Sequence, residues 1–144
     1  MSIRDLHDSI RTKTAIKAGA NASAAGQAGK IIDRQGYGGV EFIFNYGEIT
    51  ATDATITVVL KEGTATSALT SVADADMLGT ELLAGVAAAV RTSGVSKNVT
   101  KRLGYVGQKR YVQASIAAAT VSAAVRVAVN AVLHSPQLAP TANP

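Results

Sequence analysis

Cysteine and tryptophan are both missing from this chain of 144 residues, and proline occurs only three times. Without thiols there are neither disulfides nor thiolate metal centres, and cytosolic synthesis is compatible with that composition. Aromatic residues are scarce, two Phe and four Tyr, although 47% of the chain is hydrophobic. The apolar content therefore rests on Ala, Val and Ile, and small and β-branched side chains suit a pleated sheet. Long apolar runs are lacking as well. The opening MSIRDLHDSIRTKTAIKAGA is charged and polar where a secretory signal requires an apolar centre, which argues against export by that route. The stretches around 80–90 and 115–133 are broken by Glu81, Gly85, Arg126 and Asn130 and are rich in Ala and Ser, so neither a transmembrane segment nor a membrane partner is expected.

The length fits one domain, which would bury roughly 68–70% of the unfolded chain's surface. Net charge is +4, unevenly spread. Arg4, Arg11, Lys13, Lys17 and Lys30 face only Asp5 and Asp8 within residues 1–30, while the remainder is nearly neutral. The same region has no period-2 alternation, and KAGANASAAGQAGK over 17–30 is a Gly/Ala/Ser/Asn run whose backbone entropy is costly to fix. We read residues 1–29 as an extended N-terminal arm, with Ile3, Leu6 and Ile10 at the spacing of a short amphipathic turn.

Strand patterns begin near Lys30. Ile31-Ile32 is closed by the turn Asp33-Arg34-Gln35-Gly36, and Val40, Phe42, Phe44 and Tyr46 then alternate with Glu41, Ile43 and Asn45. Ile56, Val58 and Leu60 mark a second strand. Residues 63–98 read equally as a long excursion with one short strand or as a helix interrupted by Gly85. A strand over 99–106 leads through Gly107-Gln108, an expected tight hairpin, into one over 110–116. A final strand carries Val121, Ala123, Val125, Val127, Val129, Ala131 and Leu133 on one face before Pro136 and Pro140 end regular structure. The fold class is all-β: an antiparallel, jelly-roll-like β-sandwich over 30–135, an extended N-terminal arm, and an extended tail over 136–144.

Catalytic and ligand chemistry find little footing. His7 and His134 have no cysteine or paired carboxylates at ligand spacing, and Asp74 with Asp76 does not continue into a calcium loop, so no metal and no cofactor is expected. Gly36-Tyr37-Gly38-Gly39 lacks the Gly-Lys-Ser/Thr of a phosphate loop and reads as a turn needing positive φ. There is no Gly-x-Ser-x-Gly elbow, so the chain is not expected to be an enzyme. Lys101-Arg102 and Lys109-Arg110 lie near Tyr105 and Tyr111, an arrangement a nucleic-acid surface would use; rim charges that blunt sheet edges explain them more simply. No specific nucleic-acid partner is expected.

Several motifs occur in order: Ile32-Asp33-Arg34-Gln35-Gly36-Tyr37, Phe44-Asn45-Tyr46-Gly47, Asp76-Met77-Leu78-Gly79-Thr80, Gly104-Tyr105-Val106-Gly107-Gln108-Lys109-Arg110-Tyr111-Val112 and Val132-Leu133-His134-Ser135-Pro136. Across residues 29–138 this order resembles small virion proteins encoded among the head genes of tailed bacteriophages, the capsid decoration or cement family. The resemblance implies a structural subunit made in the bacterial host cytoplasm and located on the capsid surface. It would bind the major capsid protein and its own copies as a homodimer or homotrimer. A head–tail connector or tail subunit is the alternative, and a glycan- or nucleic-acid-binding module a further one. Candidate contacts are the basic residues Arg4, Arg11, Lys13, Lys17, Lys101, Arg102, Lys109 and Arg110.

Overall fold

The structure is a computed structural model and describes residues 6–22, 25–49, 54–86, 99–120 and 125–138. Nine strands, β1 (Ile10–Ala22), β2 (Ile32–Asp33), β3 (Tyr37–Tyr46), β4 (Thr55–Ala65), β5 (Ala68–Ser71), β6 (Met77–Leu78), β7 (Thr100–Tyr105), β8 (Tyr111–Thr120) and β9 (Val125–Pro136), form two antiparallel sheets. One has the order β1-β9-β3-β7-β6 and the other β2-β8-β4-β5. The chain passes repeatedly from one sheet to the other, and this interleaved order is that of a jelly roll.

The alternation read from the sequence sorts the two faces. Val40, Phe42, Phe44 and Tyr46 of β3 are buried against Ile56, Val58 and Leu60 of β4, Val112, Ala114 and Ile116 of β8, and Val127, Val129, Ala131 and Leu133 of β9. The Phe44 and Tyr46 rings stack with centroids 6.3 Å apart. Two sheets each presenting one apolar face can bury it only against each other, which makes the sandwich.

The N-terminal arm is corrected in part. Residues 10–22 are the edge strand β1, paired along β9 from Ile10 opposite His134 to Ala22 opposite Val125. Register shifts between Thr14 and Ile16 and between Ile16 and Ala20 interrupt this pairing. At the first, the extra residue lets Ala15 and Ile16 both turn inward; at the second, Gly19 adopts φ +79° and its carbonyl accepts a bond from Arg126 Nη1. Bulges of this kind erase the two-residue period that sequence reading depends on. The bulged backbone also holds the segment leading into β2, since the Lys30 amide donates to the Ala15 carbonyl.

Two other expectations change. Tyr105 and Tyr111 do not flank a hairpin: β7 pairs with β3 and β6 while β8 pairs with β2 and β4, so residues 106–110 cross between sheets. Over residues 63–86 the ambiguous middle resolves into β5, a 3₁₀ turn at Asp74–Asp76, β6, and the one-turn helix α1 (Glu81–Ala84), and its remainder, 87–98, lies outside the described residues. Thr80 caps α1 by accepting from the Leu83 amide. Residues Val121 and Ala123, assigned to the last strand, and 139–144 of the tail lie outside the described residues.

Candidate partner-binding surface

Two of the sequence motifs meet at one corner of the sandwich. Gln35 and Gly36 form a turn in which the Tyr37 amide donates to the Arg34 carbonyl, Gly36 takes φ +87°, and the Asp33 carboxylate accepts the Gln35 amide. This turn aims Arg34 into the β7–β8 crossover. Arg34 is only 9% exposed. Its Nε donates to the Lys109 carbonyl at 2.6 Å, Nη2 to the Gly107 carbonyl at 2.6 Å, and Nη1 to the Tyr37 carbonyl at 2.9 Å. The guanidinium lies 5.4 Å from the Tyr105 ring centroid. A planar fork of donors can satisfy several carbonyls at once, which an ammonium cannot.

Tyr105 is the second fixed point. Its hydroxyl donates to the Glu62 carboxylate and accepts the Lys109 amide. Burial foremost, with the bond to Glu62, pushes this phenol up to about 12. Gly107 is required by proximity, because a Cβ there would stand 2.5 Å from the Tyr105 hydroxyl. Outside, Arg110 holds Asp33 through Nε at 3.0 Å and Nη2 at 2.7 Å and lies 5.0 Å from the Tyr111 ring centroid. The Arg110 guanidinium keeps the Asp33 carboxyl below the usual range.

The eight candidate contacts therefore divide. Arg110 is exposed but engaged with Asp33, and Lys109 is exposed at the same corner. Arg11 and Lys13 lie opposite Leu133 and Ala131 on the inner face of β1; the Arg11 Nε is enclosed with no hydrogen-bond partner and Lys13 Nζ donates to the Asp33 carbonyl. Lys17 is exposed on β1. Arg4 lies outside the described residues. Lys101 and Arg102 stand apart on β7, where Arg102 is exposed and approaches Glu41 at 3.9 Å. Burial raises the Glu41 carboxyl, against the opposing pull of Arg102. Arg34 is absent from the candidate contacts, and its signals in the sequence are its place in the first motif and in the turn ending at Gly36.

Beside Lys101 and Arg102 runs a groove of about 530 Å³ lined also by Leu78, Leu83, Thr100 and Glu41. Its apolar wall is exposed: Leu78 by 54% and Leu83 by 64%, with Leu82 alongside at 73%. The wall is nonetheless firmly placed. The Tyr46 hydroxyl donates to the Ala84 carbonyl, and the Glu81 carboxylate accepts the Leu60 amide, so α1 is tied to both sheets. Among the described residues no group of three or more His, Cys, Asp or Glu is placed to hold a metal ion, and no helix is long and apolar enough to cross a membrane.

No family model matches this chain. No curated protein matches it either. Among solved structures it is similar to the SPBc2 prophage-derived protein YomS, with 8% identity over 86% of this chain and 95% of that one, TM-score 0.48. It is also similar to the Yersinia pseudotuberculosis-derived mitogen, with 13% identity over 90% of this chain and 89% of that one, TM-score 0.42. A third likeness is to a picornavirus capsid chain of equine rhinitis A virus, with 13% identity over 92% and 76% of the two chains, TM-score 0.40.

Proposed function

We propose that this chain is a structural virion protein of a tailed bacteriophage: a non-enzymatic decoration or cement subunit that binds the outer capsid shell and stabilises contacts between major capsid proteins. The observation that carries this reading is the locked corner. Two of the motif segments in which the chain resembles phage head proteins are framework segments that fasten β2, β7 and β8 to one another. Sharing them means sharing a rigid sandwich, and rigidity is what a clamp between shell subunits needs.

The available cations support contact over a surface. Lys17, Lys101, Arg102 and Lys109 remain exposed or half-exposed on different parts of the body, where they would steer the subunit onto an acidic shell. Arg11 and Lys13 drop out of this set because they turn inward.

Copy number and position in purified virions, by gel densitometry with cryo-electron microscopy, test the proposal. Hundreds of copies spread over the shell are expected. About a dozen copies at one vertex would instead assign the chain to the head–tail connector, and none would remove the virion reading altogether.

A further inference from the structure

The groove beside β7 lies between α1 and a stretch of sheet edge that β6 does not pair with. The hydrogen-bond parity of β7 can be read from its two ends. The Val99 carbonyl accepts from the Tyr46 amide on the β3 side, and the Val106 amide donates to the Asp76 carbonyl on the β6 side. Odd-numbered residues of β7 thus direct their backbone groups to β3, and even-numbered ones toward β6. Yet β6 covers only Gly104 and Tyr105, opposite Leu78 and Met77. Gly79 then takes φ +90°, a left-handed conformation that glycine adopts freely, and swings the chain off the edge into the Thr80 cap of α1. Among the described residues, no strand lies against the outward N–H and C=O groups of Thr100 and Arg102.

We propose that this edge accepts a strand from another protein, an extended segment that alternates acidic and apolar side chains. Main-chain hydrogen bonds to Thr100 and Arg102 would hold it by β-augmentation, with side-chain recognition supplied by the groove. Leu78 and Leu83 offer the apolar contact. The charge follows from the flanks. Lys101 lies opposite Phe44, on the inner side of β7, while Arg102, opposite Ile43 on the outer side, is shared with Glu41 at 3.9 Å, so the acidic face of an alternating strand would meet Lys101. A second copy of this chain fits poorly, since antiparallel pairing centred on Lys101 would set lysine against lysine, and like charges directly opposite are destabilising. The inference deepens the virion reading by naming how a shell partner is gripped, and rests on that reading only for the partner's identity.

The test follows backbone amide resonances and hydrogen exchange of the full chain with synthetic octapeptides. One peptide alternates glutamate and valine, and its counterpart alternates lysine and valine. In the free protein the Thr100 and Arg102 amides are expected to exchange as fast as exposed loop amides. The glutamate peptide should slow both about tenfold or more, with shifts confined to β7, β6 and α1, while the lysine peptide leaves them unchanged. Leu83→Asp and Arg102→Glu, both at exposed positions, should each weaken glutamate-peptide binding about tenfold, equivalent to about 1.4 kcal/mol, with the β3 and β9 amides unmoved. Protection of Thr100 and Arg102 before any peptide is added, or equal response to the two peptides, overturns the inference. Either failure leaves the virion copy number to be judged on its own.

Discussion

Replacing Arg34 with methionine keeps most of its volume and removes every donor of its guanidinium. Four bonds run from this one guanidinium, at 2.6, 2.6 and 2.9 Å to the carbonyls of Lys109, Gly107 and Tyr37 and, more weakly, at 3.4 Å to that of Gly38. A hydrogen bond involving a charged group contributes about 1.5–3 kcal/mol, but bonds from one side chain are coupled and do not add in full. We therefore expect Arg34→Met to cost about 3–5 kcal/mol, a large part of the roughly 5–15 kcal/mol that holds a typical domain together. At about 2–4 °C per kcal/mol for a chain of this size, melting should fall by roughly 6–20 °C. Arg34→Lys should recover less than half, because one ammonium cannot reach all of these carbonyls in a plane. Urea titration is the assay, with the midpoint moving at unchanged slope. A loss below about 1 kcal/mol for methionine would mean that water satisfies those carbonyls equally well, and the description of the corner as locked would fall.

Gly107→Ala should cost about 1–3 kcal/mol by scanning calorimetry, because its Cβ would meet a Tyr105 ring held by Arg34, Glu62 and the Lys109 amide. Tyr105 itself should give an alkaline limb. With its phenol raised from 10.0 to about 12 in the folded state, the folded chain holds the proton more tightly than the unfolded one. That stability is fully present below pH 10 and is lost as pH rises through about 12. Urea unfolding followed across this range, alongside ultraviolet titration of tyrosinate, should show the limb flattened in Tyr105→Phe; an unaltered limb would refute the assignment.

Where burial alternates strictly, sequence and structure agree. The faces of β3, β4 and β9 were legible because every second side chain from Val40 to Tyr46, Ile56 to Leu60 and Val125 to Leu133 is apolar and buried. The strand β1 was hidden by its two register shifts, and by alanine and glycine that carry no strong preference for either face. The crossover at 106–110 reads as a hairpin because local turn chemistry does not say which sheet the next strand will join; the contacts that hold it come from Arg34, some seventy residues earlier. Basic residues were visible as charges, but only register separates the inward Arg11 and Lys13 from Lys17, or a Lys101–Arg102 pair on an edge that β6 does not pair with from an Arg110 already clasped by Asp33.

The pairing of β1 with β9 sets how the subunit bears force. Ile10 lies opposite His134, so the start of one strand and the end of the other emerge side by side. Tension drawn through those two points would act along the hydrogen bonds, across the strand axes, and open the pair like a zipper, one rung at a time, as far as the shifted register where Ala15 and Ile16 are anchored in the core. A load delivered through the broad sheet faces meets the whole interlocked core at once. Anything that must hold against pressure with this subunit would do well to grip its sides and leave its ends slack.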